Sequence, residues 1–304
     1  MTTALLEREA PAVPPAPRAR ARRRLDPAAI GLVPFAVYVI VFLLVPTGIA
    51  LGTGFVDGEG AFTLDNLAGL AEPTILRTFG NSLWLSALTA LVGSVVGALA
   101  CYAMLGLPEG GRVRVAVDAA ASVLAQFGGV MLAFAFIATL GAQGLVTSLI
   151  LDATGVDIHA GGNWLYALPG LVPVYTYFQV PLMIITFMPA MTALKPAWAE
   201  ANLTLGGTRL GFWRLIGIPV LAPAFLASLL LLFANAFSSY ATAAALASQG
   251  AQIVPLQIRA ALTSETVLGR ENLAGALALG MIVVVSVCMW GYSAIQGRAA
   301  RWQR

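Results

Sequence analysis

Charged residues are scarce in this chain. Aspartate, glutamate, lysine and arginine make up 10% of its 304 residues, whereas a soluble globular domain carries about 25%. Hydrophobic residues make up 59%, and the mean hydropathy is +0.85. A soluble fold cannot cover that much apolar surface, so lipid is the solvent for most of the chain.

Lysine and histidine are almost absent, and each absence excludes a kind of enzyme. The one lysine, Lys195, is followed by proline, so the chain has no G-x-x-x-x-G-K-[ST] motif, in which a lysine reaches the phosphates of ATP. The one histidine, His159, excludes an H-E-x-x-H zinc site. A catalytic triad would have to use His159, for which a solvated position in a short polar link is the favoured interpretation.

Cysteine is also rare. Cys101 and Cys288 both lie in long apolar runs, where cysteine behaves as a small hydrophobic residue. Neither a disulfide framework nor the ligand spacing of a metal site is present. We therefore expect no cofactor to be bound by this chain.

The abundant feature is long apolar runs. Each is long enough to cross about 30 Å of hydrocarbon at about 1.5 Å per residue. In the third run Gly128 and Gly129 interrupt the pattern and the apolar character continues towards Ile150, so a bend or a short re-entrant piece is the alternative there. We predict an all-α polytopic membrane protein with about six transmembrane helices, at residues 29–52, 80–106, 117–140, 165–192, 219–247 and 273–296.

Three regions follow from this pattern. Residues 1–28 are rich in proline and arginine, which predicts a disordered cytoplasmic arm that can also touch anionic headgroups. Residues 29–297 form the transmembrane domain. Residues 298–304 form a short basic cytoplasmic tail.

The distribution of basic residues predicts the topology. With the N-terminus inside, only Arg77, Arg259 and Arg270 fall in the outer segments, and every other basic residue falls in an inner one. The positive-inside rule therefore predicts an N-in, C-in arrangement. No lysine or arginine lies in the middle of a span, although ion-coupled carriers usually need buried ionisable groups. A secondary carrier or channel not coupled to ATP is therefore the alternative function, and the lack of such groups argues against it. A membrane enzyme is a third class of function, and it would need clustered His, Asp, Glu or Cys side chains.

Polar side chains inside the spans are candidates for a translocation path, because polar groups are costly in lipid and tend to face the interior of a bundle. Hydrogen bonding between helices is the competing, and favoured, interpretation of each. The candidates are Asn81, Gln126, Tyr175, Tyr177, Gln179, Asn235, Ser238 and Tyr240.

The inner loop at residues 193–218 is unlike the other loops, because it is long, amphipathic and lightly charged. Pro196 can begin a short helix, and Gly206 and Gly207 allow a sharp turn with positive φ. A second short helical piece can follow before Pro219, which suits a first helical position, starts the next span. Spacing alone leaves two interpretations open: insertion into a groove on a partner protein, or a helix lying on lipid.

The motif in this loop resembles the EAA loop of importer-type ABC-transporter permeases. That loop has the pattern E-A-A, three residues, G, nine residues, I-x-L-P. Here Asn202 stands for the second alanine and Ile218 for the leucine. The six-span pattern extends the resemblance over most of residues 29–297, and features around Pro181 and Pro189 are similar to the polyamine, opine and phosphonate branch. The matching and neighbouring loop residues are Glu200, Ala201, Leu205, Gly206, Gly207, Ile216, Ile218 and Pro219.

The resemblance implies a transport subunit without an ATP site of its own. It implies that the loop fits a cleft on a dimer of cytoplasmic ATPase subunits, which bind ATP and Mg²⁺. It also implies a second permease subunit (self or sibling), an extracytoplasmic solute-binding protein and a place in a bacterial inner membrane, with no nucleic-acid partner. Ala201 and Leu205 would contact the ATPase, Glu200 would stabilise the first helical turn or pair with a basic residue, and Gly206 would make the turn.

Overall fold

The computed structural model describes residues 31–108, 110–247, 252–263 and 272–302, with side chains as far as Ile295. The predicted arm at residues 1–28 lies outside these ranges, as do residues 303 and 304 of the predicted tail. The helices are Val33–Phe55 (α1), Pro73–Leu105 (α2), Arg112–Gln126 (α3), Gly129–Leu140 (α4), Leu145–Thr154 (α5), Leu168–Thr192 (α6), Pro196–Thr204 (α7), Arg209–Ser238 (α8), Ala241–Leu246 (α9), Val254–Thr263 (α10) and Leu273–Trp302 (α11).

The described residues form an all-α fold, as predicted. Six helical segments in them are long and apolar enough to cross a membrane. No strand occurs in the described ranges beyond one isolated bridge between Val56 and Phe62. The chain is therefore a multi-pass membrane protein.

Span boundaries differ most in the third and fifth predicted spans. The stretch predicted at 117–140 is broken at Phe127 and Gly128, so that it falls partly in α3 and partly in α4. The third candidate span is instead Gly129–Thr154, which comprises α4 and α5. Gly129 has a φ of +71°, a conformation that side-chain-bearing residues rarely adopt, which explains the break. The stretch predicted at 219–247 starts earlier, in α8, and is broken at Ser239 and Tyr240 before α9.

Prolines shape the helices without ending them. Pro173, Pro181 and Pro189 all lie inside the continuous helix α6. The sequence suggested that Pro219 starts a helix, but α8 begins at Arg209 and runs through Pro219. A π-helical segment, Trp213–Gly217, precedes it, and this wider turn accommodates a residue that has no N–H to donate.

The chain divides by its internal contacts into two units, which meet in sequence between Gly48 and Ile49. In the described part of the first unit, the rings of Tyr38 and Phe42 lie 5.2 Å apart. Its large apolar side chains are exposed, as on Phe42 at 69%. Such a surface is stable only in contact with other apolar groups or lipid.

The second unit is built around the contact between α2 and α6. A buried row of small residues on α2 lets the two helices approach closely. A Cβ at Gly93 would lie 2.5 Å from Cβ of Gln179, and one at Gly97 would lie 2.5 Å from Cβ of Met183. The Gly93-x-x-x-Gly97 spacing therefore serves packing within the same chain.

We expect Gly97→Ala to lower the unfolding midpoint in detergent, because an added methyl group in a packed contact costs about 1–3 kcal/mol. Gly80→Ala on the same helix is the matched control. Gly80 has open space around it, so alanine there should leave stability unchanged or raise it by up to about 1 kcal/mol. Equal midpoints for the two variants would contradict the assigned role of the glycine pair.

Candidate functional site: the 193–218 loop and its anchor

The 193–218 loop folds as a helix, a glycine turn and the first turns of a span. Helix α7 begins with Pro196 in its first turn and ends at Thr204. Leu205 is its C-cap, and Gly206 follows with a φ of +79°. The Thr208 hydroxyl then accepts a hydrogen bond from the backbone N–H of Gly211 (3.0 Å), which caps the start of α8.

Asn202 holds this turn together. Its side-chain amide donates to the carbonyl of Thr208 (3.1 Å), and its own carbonyl accepts from the N–H of Gly207 (2.8 Å). A Cβ at Gly207 would collide with the Asn202 side chain, whereas Gly206 has open space around it. Gly206 is thus required for its backbone conformation, and Gly207 for the room that Asn202 needs.

Aromatic residues anchor the C-terminal side of the loop. Phe212 is buried at 8% exposure. The ring of Trp213 packs edge to face against Tyr102 of α2, with centroids 5.2 Å apart. Trp213 also covers Gly217, where a Cβ would lie 2.6 Å from the indole. The start of α8 is therefore fixed to the end of α2.

The loop itself presents apolar side chains that nothing in the described chain covers. Leu205 is 88% exposed, Leu210 78% and Leu215 75%. Glu200 and Ala201 are exposed on α7. Ile218 and Pro219 are also exposed, and Ile216 is half-buried. A surface of this kind gains stability from an apolar partner or from lipid.

The candidate path residues are not brought together as one set. Gln179 is fully buried and donates to the Leu232 carbonyl of α8 (2.8 Å). Tyr175 is equally buried, and its hydroxyl donates to the Ser239 carbonyl (2.8 Å). The Asn81 amide donates to the Gln252 carbonyl (3.1 Å) just before α10.

The other candidates are exposed. The Tyr177 ring lies edge to face against Phe136, with centroids 6.0 Å apart, beside a cavity between α3, α4 and α6. The remaining four all lie at or beside helix ends: Gln126, Asn235, Ser238 and Tyr240.

His159 is engaged in local structure. Its Nε2 lies 2.9 Å from the Leu140 carbonyl oxygen, and its ring stacks on Trp164 at 6.0 Å. In the described part of the chain, no three His, Cys, Asp or Glu side chains lie close enough to hold a metal ion.

The chain is similar to known permease proteins. No protein-family model matches the chain. It is 26% identical over 259 residues to the protein of Sinorhizobium fredii named "Probable ABC transporter permease protein y4fN", covering 84% of this chain and 44% of that protein. It is 25% identical over 210 residues to the ferric transport system permease protein FbpB of Actinobacillus pleuropneumoniae, covering 69% of this chain and 30% of that protein. The chain spans less than half the length of these relatives.

Solved structures share the fold. A bacterial ABC transporter that imports the acidic polysaccharide alginate matches with a TM-score of 0.71 and 17% identity, over 91% of this chain and 96% of that one. The MetNI methionine ABC transporter, in inward-facing conformations, matches with a TM-score of 0.56 and 14% identity, over 75% of this chain and 99% of that one. The fold is that of ABC importer permeases, and the predicted resemblance to ABC-transporter permeases is confirmed. The narrower polyamine, opine and phosphonate branch stays a prediction.

The Asn202–Gly207 contact predicts a non-additive pair of substitutions. Gly207→Ala should displace the Asn202 side chain and break its bond to Thr208, at a cost of about 1 kcal/mol. In an Asn202→Ala background the same change should cost much less, because the obstructing side chain is gone. Trypsin cleavage after Arg209 and Arg214 measures how readily the loop opens. The same fold-increase in cleavage rate by Gly207→Ala in both backgrounds would contradict the contact.

Proposed function

We propose that this chain is a transmembrane permease subunit of an ATP-driven importer, in which it forms part of the translocation path for a small solute. The fold it shares with importer permeases and the exposed, apolar 193–218 loop support this proposal together. The observation that carries it is the loop: Leu205 before the glycine turn, and Leu210 and Leu215 after it, are each exposed by at least 75%, while the Asn202–Thr208 hydrogen bond holds the turn itself.

The loop is the proposed contact with a separate ATPase. Leu205 and Ala201 supply apolar surface that can enter a groove on the ATPase. Such surface is unfavourable in water unless a partner covers it. The Trp213–Tyr102 contact joins the loop to α2. An apolar groove of about 450 Å³ between α2, α6 and α8 lies beside it. Displacement of the loop by an ATPase is therefore transmitted to the spans through a packed aromatic pair.

The partners and the location follow from this role. The 193–218 loop and both chain ends are placed on the cytoplasmic side of a bacterial inner membrane by the positive-inside rule. Two ATPase subunits, a second permease subunit and an extracytoplasmic binding protein complete the proposed transporter. ATP and Mg²⁺ are bound by the ATPase, since this chain has no lysine in a phosphate-binding motif.

A secondary carrier remains the second candidate on the basis of the six spans alone. No described residue within α4, α6 or α9 is ionisable except tyrosine, which disfavours a proton or ion relay there. Co-purification separates the two functions. An ATP-driven permease should retain its ATPase after detergent extraction, whereas a carrier should be purified without one.

Gly206→Val tests the loop directly. A β-branched residue cannot hold a φ of +79° without strain of about 1–3 kcal/mol, so the turn should change shape and the ATPase should be lost. We expect normal membrane insertion, with pull-down of the ATPase and ATP-dependent uptake both reduced at least tenfold.

Gly155→Val is the matched control. Gly155 has a similar φ of +68° and open space around it, but it caps α5, far along the chain from the loop. Its substitution strains the backbone equally and should leave the ATPase bound. Retention of the ATPase and full uptake by Gly206→Val would refute the proposed role of the turn.

A further inference from the structure

Two helix breaks adjoin each other in the second unit. Helix α3 ends at Gln126 and α4 begins at Gly129, while α8 ends at Ser238 and α9 begins at Ala241. The backbone N–H of Gly129 donates to the Thr242 hydroxyl across the two breaks (2.9 Å). The breaks are distant in sequence but lie side by side in the fold.

One break directly precedes the candidate span that begins at Gly129, and the other directly follows the candidate span that ends at Ser238. The second break nevertheless contacts α6 away from the end of that helix. The Tyr175 hydroxyl donates to the carbonyl of Ser239, which is in extended conformation between α8 and α9. Tyr175 is seven residues from the start of α6, which is about 10 Å along a helix and well inside that span. Unwound backbone at such a depth is tolerated only where protein buries it or where it lines a water-filled space.

The polar side chains sort into two groups around these breaks. Asn81, Tyr175 and Gln179 are hydrogen-bonded to backbone carbonyls of other segments and so hold the bundle together. Exposed amides and hydroxyls flank the breaks instead, which is costly against lipid. They are Gln126 at the end of α3, Asn235 and Ser238 in the last turn of α8, and Tyr240 in the connection to α9. The Ser238 hydroxyl donates to the Ala234 carbonyl of its own helix (2.9 Å), so it faces a solute as a hydrogen-bond acceptor.

We propose that the paired breaks form a solute-contacting site, at which Gln126, Asn235, Ser238 and Tyr240 bind the transported solute through neutral hydrogen bonds. This inference rests on the proposed transport function and deepens it. Discontinuous helices that meet within the bilayer are a general way to expose hydrogen-bonding groups to a solute. The Gly129–Thr242 bond holds the two breaks in register.

The chemistry around the site selects an uncharged solute rich in hydroxyl groups. Helices α4, α6 and α9 contain no Asp, Glu, Lys, Arg or His. The nearest charged residue on α3 is Asp118, eight residues from Gln126, or about 12 Å along the helix. Amides, a hydroxyl and a phenol supply both donors and acceptors without a countercharge.

Cysteine labelling tests whether the site is wet. In a background of Cys101→Ala and Cys288→Ala, single cysteines are placed at Asn235 and, as control, at Leu226. The two positions are nine residues apart on α8, so they face opposite sides of the helix, and Leu226 is an exposed apolar residue. A charged, membrane-impermeant maleimide should label Asn235→Cys at least tenfold faster than Leu226→Cys in the nucleotide-free or vanadate-trapped complex. Equal rates in both states would overturn the site.

Protection by probe solutes tests the solute class. Maltose and sorbitol represent uncharged polyhydroxyl solutes, and sulfate represents a charged solute that only accepts hydrogen bonds. We expect maltose or sorbitol to slow labelling of Asn235→Cys at least threefold, while sulfate leaves it unchanged. Protection by sulfate alone, or by none of the three, would overturn the proposed class.

The labelling result is independent of the ATPase. Water access at Asn235→Cys with no ATPase in the purified complex would refute the ATP-driven function and leave the site standing. A bound ATPase with an unlabelled Asn235→Cys would refute the site and leave the function standing. The two proposals therefore fail separately.

Discussion

Lipid offers no hydrogen bonds, and this one constraint decides the structure of the chain. Every backbone N–H and C=O inside a span must find a partner within the protein. Within the six candidate spans, the helical stretches satisfy their own backbone groups. At the two breaks described above, a side chain supplies a hydrogen-bond partner for backbone that is no longer helical. The Thr242 hydroxyl accepts from the N–H of Gly129, and the Tyr175 hydroxyl donates to the carbonyl of Ser239. The interruptions are thus supported positions.

The same constraint explains the contrast between the spans and the 193–218 loop. In the spans, small residues such as Gly93 and Gly97 allow backbones to approach, because dispersion and not water exclusion joins helices in lipid. The loop does the opposite. An asparagine side chain and two glycines fix the shape of its turn, while its leucines are uncovered. Rigidity beside an uncovered apolar surface is the arrangement that a pre-organised docking element requires.

The sequence predicts the features that depend on composition and on local turn chemistry. It does not predict those that depend on single contacts between residues distant in sequence. The number of spans follows from apolar runs, and the positive φ at Gly206 from the turn chemistry of glycine. The break at Gly128 was anticipated as an alternative, because a glycine pair interrupts the apolar run there. The break at Ser239 was not located, since the side chain that supports it, Tyr175, lies more than 60 residues away in sequence. Asn202 was treated as a mild departure from alanine, and the anchor formed by Trp213 and Tyr102 was missed. The proline at position 219, which forces a wider turn, was the available signal for that anchor.

The loop anchor and the paired breaks lie at opposite ends of the same helix. Helix α8 begins four residues before Trp213 and ends at Ser238, beside the break. It packs along its length against α2, α6 and α11. Packed helices move as rigid bodies rather than by continuous deformation. A displacement at the anchor would therefore reach the break as a shift of the whole helix, next to the bond that joins Gly129 of α4 to Thr242 of α9.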